Sequence, residues 1–407
     1  MNRKKSSEKI TKDDLFTLAG GIADEIIGIR HTIHANPEVM FKEYETAALI
    51  RGYLDRPGIK ILKPYLETDT TAVIKGNRAG PGRTVLLRAD IDALRLEEKT
   101  ELPWKSTKEG AAHSCGHDGH TAILLGAAKI LSTLTDYFSG NIKLVFQPAE
   151  ESGGGGKILV EKGVLDDEPY VDEVYALHGW PGVEEGFFES VSGAMMAAVD
   201  NFEIEVSARG GHAAMPHHAT DAVLTAAQIV TALQGIVSRN VDPNDAAVVS
   251  VCTIHGGELN NVLPDSVKMK GTVRYFKKKM QSFFKDRIGQ IVNGVCSANM
   301  ATGNLKYTPG YIPLVNSSDK VRFAGEVIKN FFGEDKWSDS AIPTGGGEDF
   351  SFYLDKRPGA FYRLGLGKNH PSLHNSRFDF NDNVIVNGIV SMCAIALCSL
   401  EDSLFDL

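Results

Sequence analysis

Thr84-Val85-Leu86-Leu87-Arg88-Ala89-Asp90-Ile91-Asp92 is a short apolar run that ends on two carboxylates. A run of this length bounded by polar residues reads as a buried strand. Working outward, helical spacing covers about Leu18 to His34, Thr46 to Leu54 and Gly119 to Phe138, the last rich in Ala, Leu and Ile. Ile142 to Phe146 and Val174 to His178 repeat the strand pattern. Apolar strands alternating with helices predict an α/β layer domain. Chemistry in such domains gathers at the carboxyl ends of the strands. Asp90, Glu150 and His178 each stand where that rule puts them.

The pattern changes near Ala198. Asp200 to Ala208 alternates as a strand, Asp221 to Val237 is helical, and Ala247 to Ile254 and Ser266 to Phe276 are strands. Met280 to Met300 is helical again, and Leu305 to Tyr311 is extended. The order β-α-β-β-α-β is the split-βαβ, ferredoxin-like plan. Residues 198–309 are therefore expected as an α+β domain inserted into a discontinuous one made of 1–197 and 310–407.

With 407 residues, 43% apolar and 23% charged, the chain has an ordinary globular composition. A net charge of −9 argues against a basic nucleic-acid footprint. Five cysteines, odd in number and widely spread, predict no disulfide framework and a reducing, cytoplasmic setting. Residues 1–9 are polar and lead into no apolar h-region, so no secretory signal is expected. Val384 to Leu400 is apolar but interrupted by Asn387, Gly388, Ser391 and Ser399. It falls short of the roughly 20 residues of a spanning helix, so a buried core helix is expected and no membrane partner.

The densest chemistry is His113-Ser114-Cys115-Gly116-His117-Asp118-Gly119-His120. A thiolate and imidazoles at this spacing suit a borderline transition metal better than Mg²⁺ or Ca²⁺. A buried free cysteine beside a surface histidine is the bland alternative for either residue alone. Glu150-Glu151 follows Phe146-Gln147-Pro148-Ala149, just after the strand-like run. Burying two adjacent carboxylates calls for a cation beside them, although an arbitrary Glu-Glu pair is more often a solvated turn. Asp90 and Asp92 suit carboxylates that orient a ligand imidazole, or equally a helix cap. His178 and His374 each follow an apolar stretch, where a single histidine is more often structural. In the insertion, Gly210-Gly211-His212-Ala213-Ala214-Met215-Pro216-His217 is a small-residue loop that allows close approach to a ligand. Asn261 and Arg274 could hold an anionic group. Gly153 to Lys157 lacks the spacing of a phosphate-binding loop, and the chain has no G-x-S-x-G elbow and no H-E-x-x-H helix.

Arg30-His31-Thr32-Ile33-His34-Ala35-Asn36-Pro37-Glu38, Leu87 to Leu94, Cys115 to His120, Phe146 to Glu151, Gly211 to His217, Asn261 to Asp265, Glu348-Asp349-Phe350 and Phe378-Asp379-Phe380 together resemble the metal-dependent aminoacylase and carboxypeptidase superfamily. The likeness is to the branch of hippurate hydrolases, N-acyl-L-amino-acid amidohydrolases and indole-acetyl-amino-acid hydrolases, with the motifs in the family's order from about residue 18 to 400. The resemblance implies a two-metal, aminopeptidase-like catalytic domain. Its ligands would be Cys115, His117, Glu151, His178 and His374, holding two divalent ions (Zn, Mn, Ni or Co). Glu150 would be the general base, His212 would steady the oxyanion from a partner subunit, and Asn261, Arg274 and His217 would contact the substrate. The implied reaction is hydrolysis of an N-acyl amino acid, by a homodimer or homotetramer formed through the inserted lid. A dipeptidase or carboxypeptidase using the same site is the alternative. Two departures, Ala112-His113-Ser114 before the cysteine and Gly345-Gly346-Gly347 before Glu348, bear on substrate preference.

Overall fold

The computed structural model describes residues 10–80, 82–401 and 404. The chain divides into two compact units, one of Met1–Gly193, Val315–Ile342 and Phe352–Leu407, the other of Ala194–Leu314 and Pro343–Ser351.

The first unit is built on a mixed eight-stranded sheet. Its strand order is Ile59–Ile61, Thr70–Lys75, Asn141–Gln147, Thr84–Asp90, Glu173–Pro181, Gly359–Gly367, Phe188–Glu189 and Trp337–Ser338. The four strands from Asn141–Gln147 to Gly359–Gly367 run parallel. Parallel strands need helices on both faces, and Thr84–Asp90 is accordingly buried at every residue. The fold is thus mixed α/β, as the alternation predicted.

Helix His117–Thr133 is buried along almost its whole length and packs on Ile385–Leu400. Two glycines let these helices close: a Cβ at Gly388 would lie 2.4 Å from Ile123 Cδ1, and one at Gly126 would lie 2.6 Å from Ile389 Cδ1. The apolar segment near the C-terminus is therefore a core helix whose hydrophobicity is spent on packing.

Several boundaries differ from expectation, two of them instructively. The stretch from Leu18 to His34 forms two helices, Lys12–Gly20 and Ala23–Ala35. The first starts earlier because Thr11 and Asp14 form a capping box. It stops at the Gly20-Gly21 pair, which favours the helix least. The helix read from Gly119 to Phe138 starts at His117 and ends at Thr133, followed by a 3₁₀ turn at Thr135–Tyr137.

The second unit holds an antiparallel sheet in the order Ala247–His255, Ser266–Tyr275, Ala198–Ser207 and Thr302–Tyr311. With helices Ala222–Asn240 and Met280–Ala298 between strands, the chain order is β-α-β-β-α-β. Ala198–Ser207 alternates buried and open positions. Its inward Phe202, Ile204 and Val206 pack with Ile229, Leu233, Phe284 and Ile288 of the helices, as a sheet covered on one face requires.

Candidate metal centre

In the first unit the central strands deliver side chains to one end of the sheet. Asp90 closes Thr84–Asp90, Glu150 and Glu151 follow Asn141–Gln147, and His178 lies inside Glu173–Pro181. His117 opens its helix, directly after Cys115 and the left-handed Gly116. His374 reaches the same place from a loop. Its N–H donates to Ser114 O at 2.7 Å, and its own φ is 62°.

The donor atoms of Cys115, His117 and His178 lie within 4.8 Å of one another, as do those of Cys115, Glu151 and His374, and those of His117, Glu150 and Glu151. The five predicted ligands and Glu150 therefore converge, with Cys115 common to two of the trios. Ring orientation follows from hydrogen bonds. His117 Nδ1 donates to Asp92 O at 2.9 Å and His178 Nδ1 to Gly179 O at 2.8 Å. Each leaves its Nε2 facing the cluster, and His178 Nε2 is 3.6 Å from Cys115 Sγ. His117 Nε2 is buried without a hydrogen-bond partner among the described residues. Glu151 Oε1 stands 3.2 Å from His374 Nε2 and 3.9 Å from His117 Nε2, also without a well-aligned bond. Buried polar atoms without partners are rare, and a cation between them would satisfy both.

The charges agree. Burial alone would lower the His117 pKa, yet Asp90, Asp92 and Glu151 raise it to about 10. Burial, then the charges of Glu151 and Glu150, push the Cys115 thiol well above its ordinary value. Burial and the neighbouring His120 keep His178 neutral. The carboxylates around His117 thus favour positive charge at this point, and a cation there would favour Cys115 as a thiolate. Sulfur and nitrogen donors on a carboxylate-rich, buried cluster fit a transition-metal site.

Not every histidine of the Cys115 motif takes part. His120 accepts Gly179 N–H at Nε2 (2.7 Å) and donates from Nδ1 to Asp90 (2.7 Å), so neither nitrogen is available. Asp90 is further held by Arg88 at 2.6 Å. Asp90 therefore fixes His120 and Arg88, whereas Asp92 serves the His117 ring. His113 is buried with neither nitrogen hydrogen-bonded among the described residues, and burial lowers its pKa to about 3.

Two motifs noticed in the sequence meet beside the cluster. Arg30, fully buried, pairs with Asp118 at 2.8 Å, Asp382 at 3.2 Å and Asp379. His34 also bonds Asp118 at 2.8 Å. The residue after His117 is thus tied to the loop that follows His374. Sequence reading missed this network because Arg30 and Asp379 are 349 positions apart.

In the second unit His212 lies on the Gly211–His212 ladder with Val262–Leu263, and Ala213 N–H donates to Asn261 O at 3.0 Å. His212 and Asn261 are therefore neighbours there. His212, His217 and Asn261 are exposed, and Arg274 is half-buried on Ser266–Tyr275.

Residues 86–397 match the model of peptidase family M20/M25/M40. The chain is 40% identical over 365 residues to an N-acetyl-L-cysteine deacetylase of Bacillus subtilis, covering 89% of this chain and 85% of that protein. It is 38% identical over 384 residues to thermostable carboxypeptidase 2 of Saccharolobus solfataricus (92% and 95% covered). It is 38% identical over 375 residues to hippurate hydrolase of Campylobacter jejuni (92% and 96% covered). The crystal structure of a dinuclear metal-binding M20 peptidase from Bacillus subtilis superposes with a TM-score of 0.82 at 30% identity, covering 94% of this chain and 99% of that one. On the extent of these matches, and with a cluster of metal-binding side chains at its centre, the chain belongs to peptidase family M20/M25/M40.

Proposed function

We propose that this protein is a metal-dependent amidohydrolase that cleaves N-acyl-L-amino acids to a carboxylic acid and a free amino acid. The observation that carries the reading is the convergence of Cys115, His117, Glu151, His178 and His374 around Glu150, with His117 Nε2 buried and without a hydrogen-bond partner among the described residues. The five converging side chains would hold two divalent ions, Zn, Mn, Ni or Co by donor type. When bound, such a pair polarises the scissile carbonyl and lowers the pKa of a bound water toward roughly 7.

The chain's own residues supply the rest. Glu150 removes the water proton and returns it to the leaving amine. Asp92 holds the His117 ring in the tautomer that presents Nε2. His212 donates to the oxyanion, and Asn261, Arg274 and His217 receive the substrate, whose carboxylate suits the arginine fork. Residues 198–309 would be the lid and the dimer contact. In favour of the latter, Ala247–His255 is an edge strand with Val248 and Ile254 about half exposed, the kind of edge that pairs with another copy. A cytoplasmic setting accords with all five cysteines being unpaired.

The likeness to a thermostable carboxypeptidase favours a second reading, a terminal peptidase using the same site. Metal-replete protein assayed side by side on N-acetyl amino acids, hippurate and dipeptides separates the two. Turnover confined to peptides overturns the amidohydrolase reading, and inertness toward the whole panel overturns both. Cys115→Ala should lower the metal bound per subunit. Unchanged metal content in that variant removes Cys115 from the centre.

A further inference from the structure

The backbone that carries Glu150 is gripped from outside its own segment. Ala149, Glu150 and Glu151 present three consecutive N–H groups to two buried carboxylates. Glu43 Oε1 accepts the first at 3.1 Å, and Asp92 Oδ1 and Oδ2 accept the second and third at 3.0 Å each. Ala149 itself sits in the left-handed region with φ 57°. A non-glycine residue there is strained and persists only when its surroundings hold it.

Glu43 comes from a segment that touches both halves of this turn. Its Oε1 also accepts Phe41 N–H at 3.0 Å, and Phe41 too has φ 57°. The Phe41 ring packs over Gly153, where a Cβ would lie 2.6 Å from Phe41 Cε2. Val39 bridges to Ala93, and Ala93 N–H donates to Glu38 O at 2.8 Å, next to Asp92. Glu43 is fully buried, and its Oε1 is directed to these N–H groups rather than to solvent. Burial, its largest influence, raises its pKa to about 7. The acceptor oxygen, more than the charge, is what the turn uses.

We propose that Glu43 is a positioning residue for Glu150, acting through the N–H of Ala149 to hold the left-handed turn that aims the base. This rests on the reading of Glu150 as general base and adds a residue that has no part in binding metal or substrate.

The test uses the metal-replete full chain. Glu43→Ala should lower kcat about 10- to 100-fold, with KM and metal content within about twofold of wild type. Glu43→Gln, which keeps an acceptor oxygen, should recover most of that loss. In a Glu150→Gln background, Glu43→Ala should add less than about twofold, because residues acting as a unit are non-additive. Equal losses for Gln and Ala, undiminished kcat in Glu43→Ala, or the full loss recurring in the Glu150→Gln background would overturn the proposal. Should Glu43→Ala not fold, Glu43→Asp serves, since it keeps the charge but falls one methylene short. It should then be slower than Glu43→Gln, and the reverse order would refute positioning by reach. Wild-type turnover by Glu150→Gln alone would instead remove the base assignment, and this proposal with it.

Discussion

Replacing Asp92 by Asn should be far more damaging than the near-identity of the two side chains suggests. Asp92 is 1% exposed, and its two oxygens each accept a backbone N–H, from Glu150 and Glu151, at 3.0 Å. Asparagine offers one oxygen and one NH₂ group. Whichever way the amide is turned, one of the two N–H groups then faces another donor. A buried donor left unsatisfied costs about 1–3 kcal/mol, and the surviving bond loses the charge assistance worth about 1 kcal/mol more. The His117 ring keeps its main anchor, because its Nδ1 donates to the Asp92 carbonyl oxygen at 2.9 Å, but it loses the nearby carboxylate charge that helps raise its pKa. The total is about 3 kcal/mol, or roughly a hundredfold in an equilibrium constant. It appears as lost folding stability if the Glu150–Glu151 turn keeps its shape, or as weakened metal binding if the turn relaxes. Denaturant unfolding of the metal-free protein and a chelator-competition titration of the loaded one read the two shares. A combined loss below about 1 kcal/mol would refute the account of what Asp92 does.

Glu150→Gln should retain both metals and lose activity by about 10²- to 10⁴-fold; elemental analysis beside turnover checks it, and comparable rates in mutant and wild type exclude Glu150 as base. Arg30→Met leaves Asp118 buried without its cation and should cost about 3–5 kcal/mol of stability in denaturant unfolding; a cost under about 1 kcal/mol would mean the network is dispensable. In metal-free protein the His117 pKa is raised to about 10. Its stabilising share is therefore fully present below about pH 6.5 and lost as pH rises through about 10, which unfolding midpoints between pH 6 and 10 should follow. Metal loading near pH 8 should release protons from His117 and Cys115, measured by calorimetry in buffers of different ionisation enthalpy; no release would contradict their role as ligands.

Much of the architecture was legible because it rests on local periodicity. The alternation of strand and helix patterns announced the α/β unit, and the change of pattern near Ala198 announced the β-α-β-β-α-β segment. The Cys115 motif, Glu150-Glu151 and His178 were recognisable by type and by their places near strand ends. Residue type and order within about ten positions decide those features. What only the tertiary structure decided is which nitrogens and oxygens are already engaged. His120 shares the motif of His117, but Gly179 N–H and Asp90 occupy both of its ring nitrogens. Glu43 carried no signal at all: a glutamate in a turn looks solvated until folding sets it under Ala149 N–H, 106 positions away. Arg30 and Asp379 likewise meet only because helix Ala23–Ala35 and the loop after His374 converge on Asp118. Hydrogen-bond partners depend on angles and distances between segments remote in the chain, and one sequence does not encode those in any local pattern.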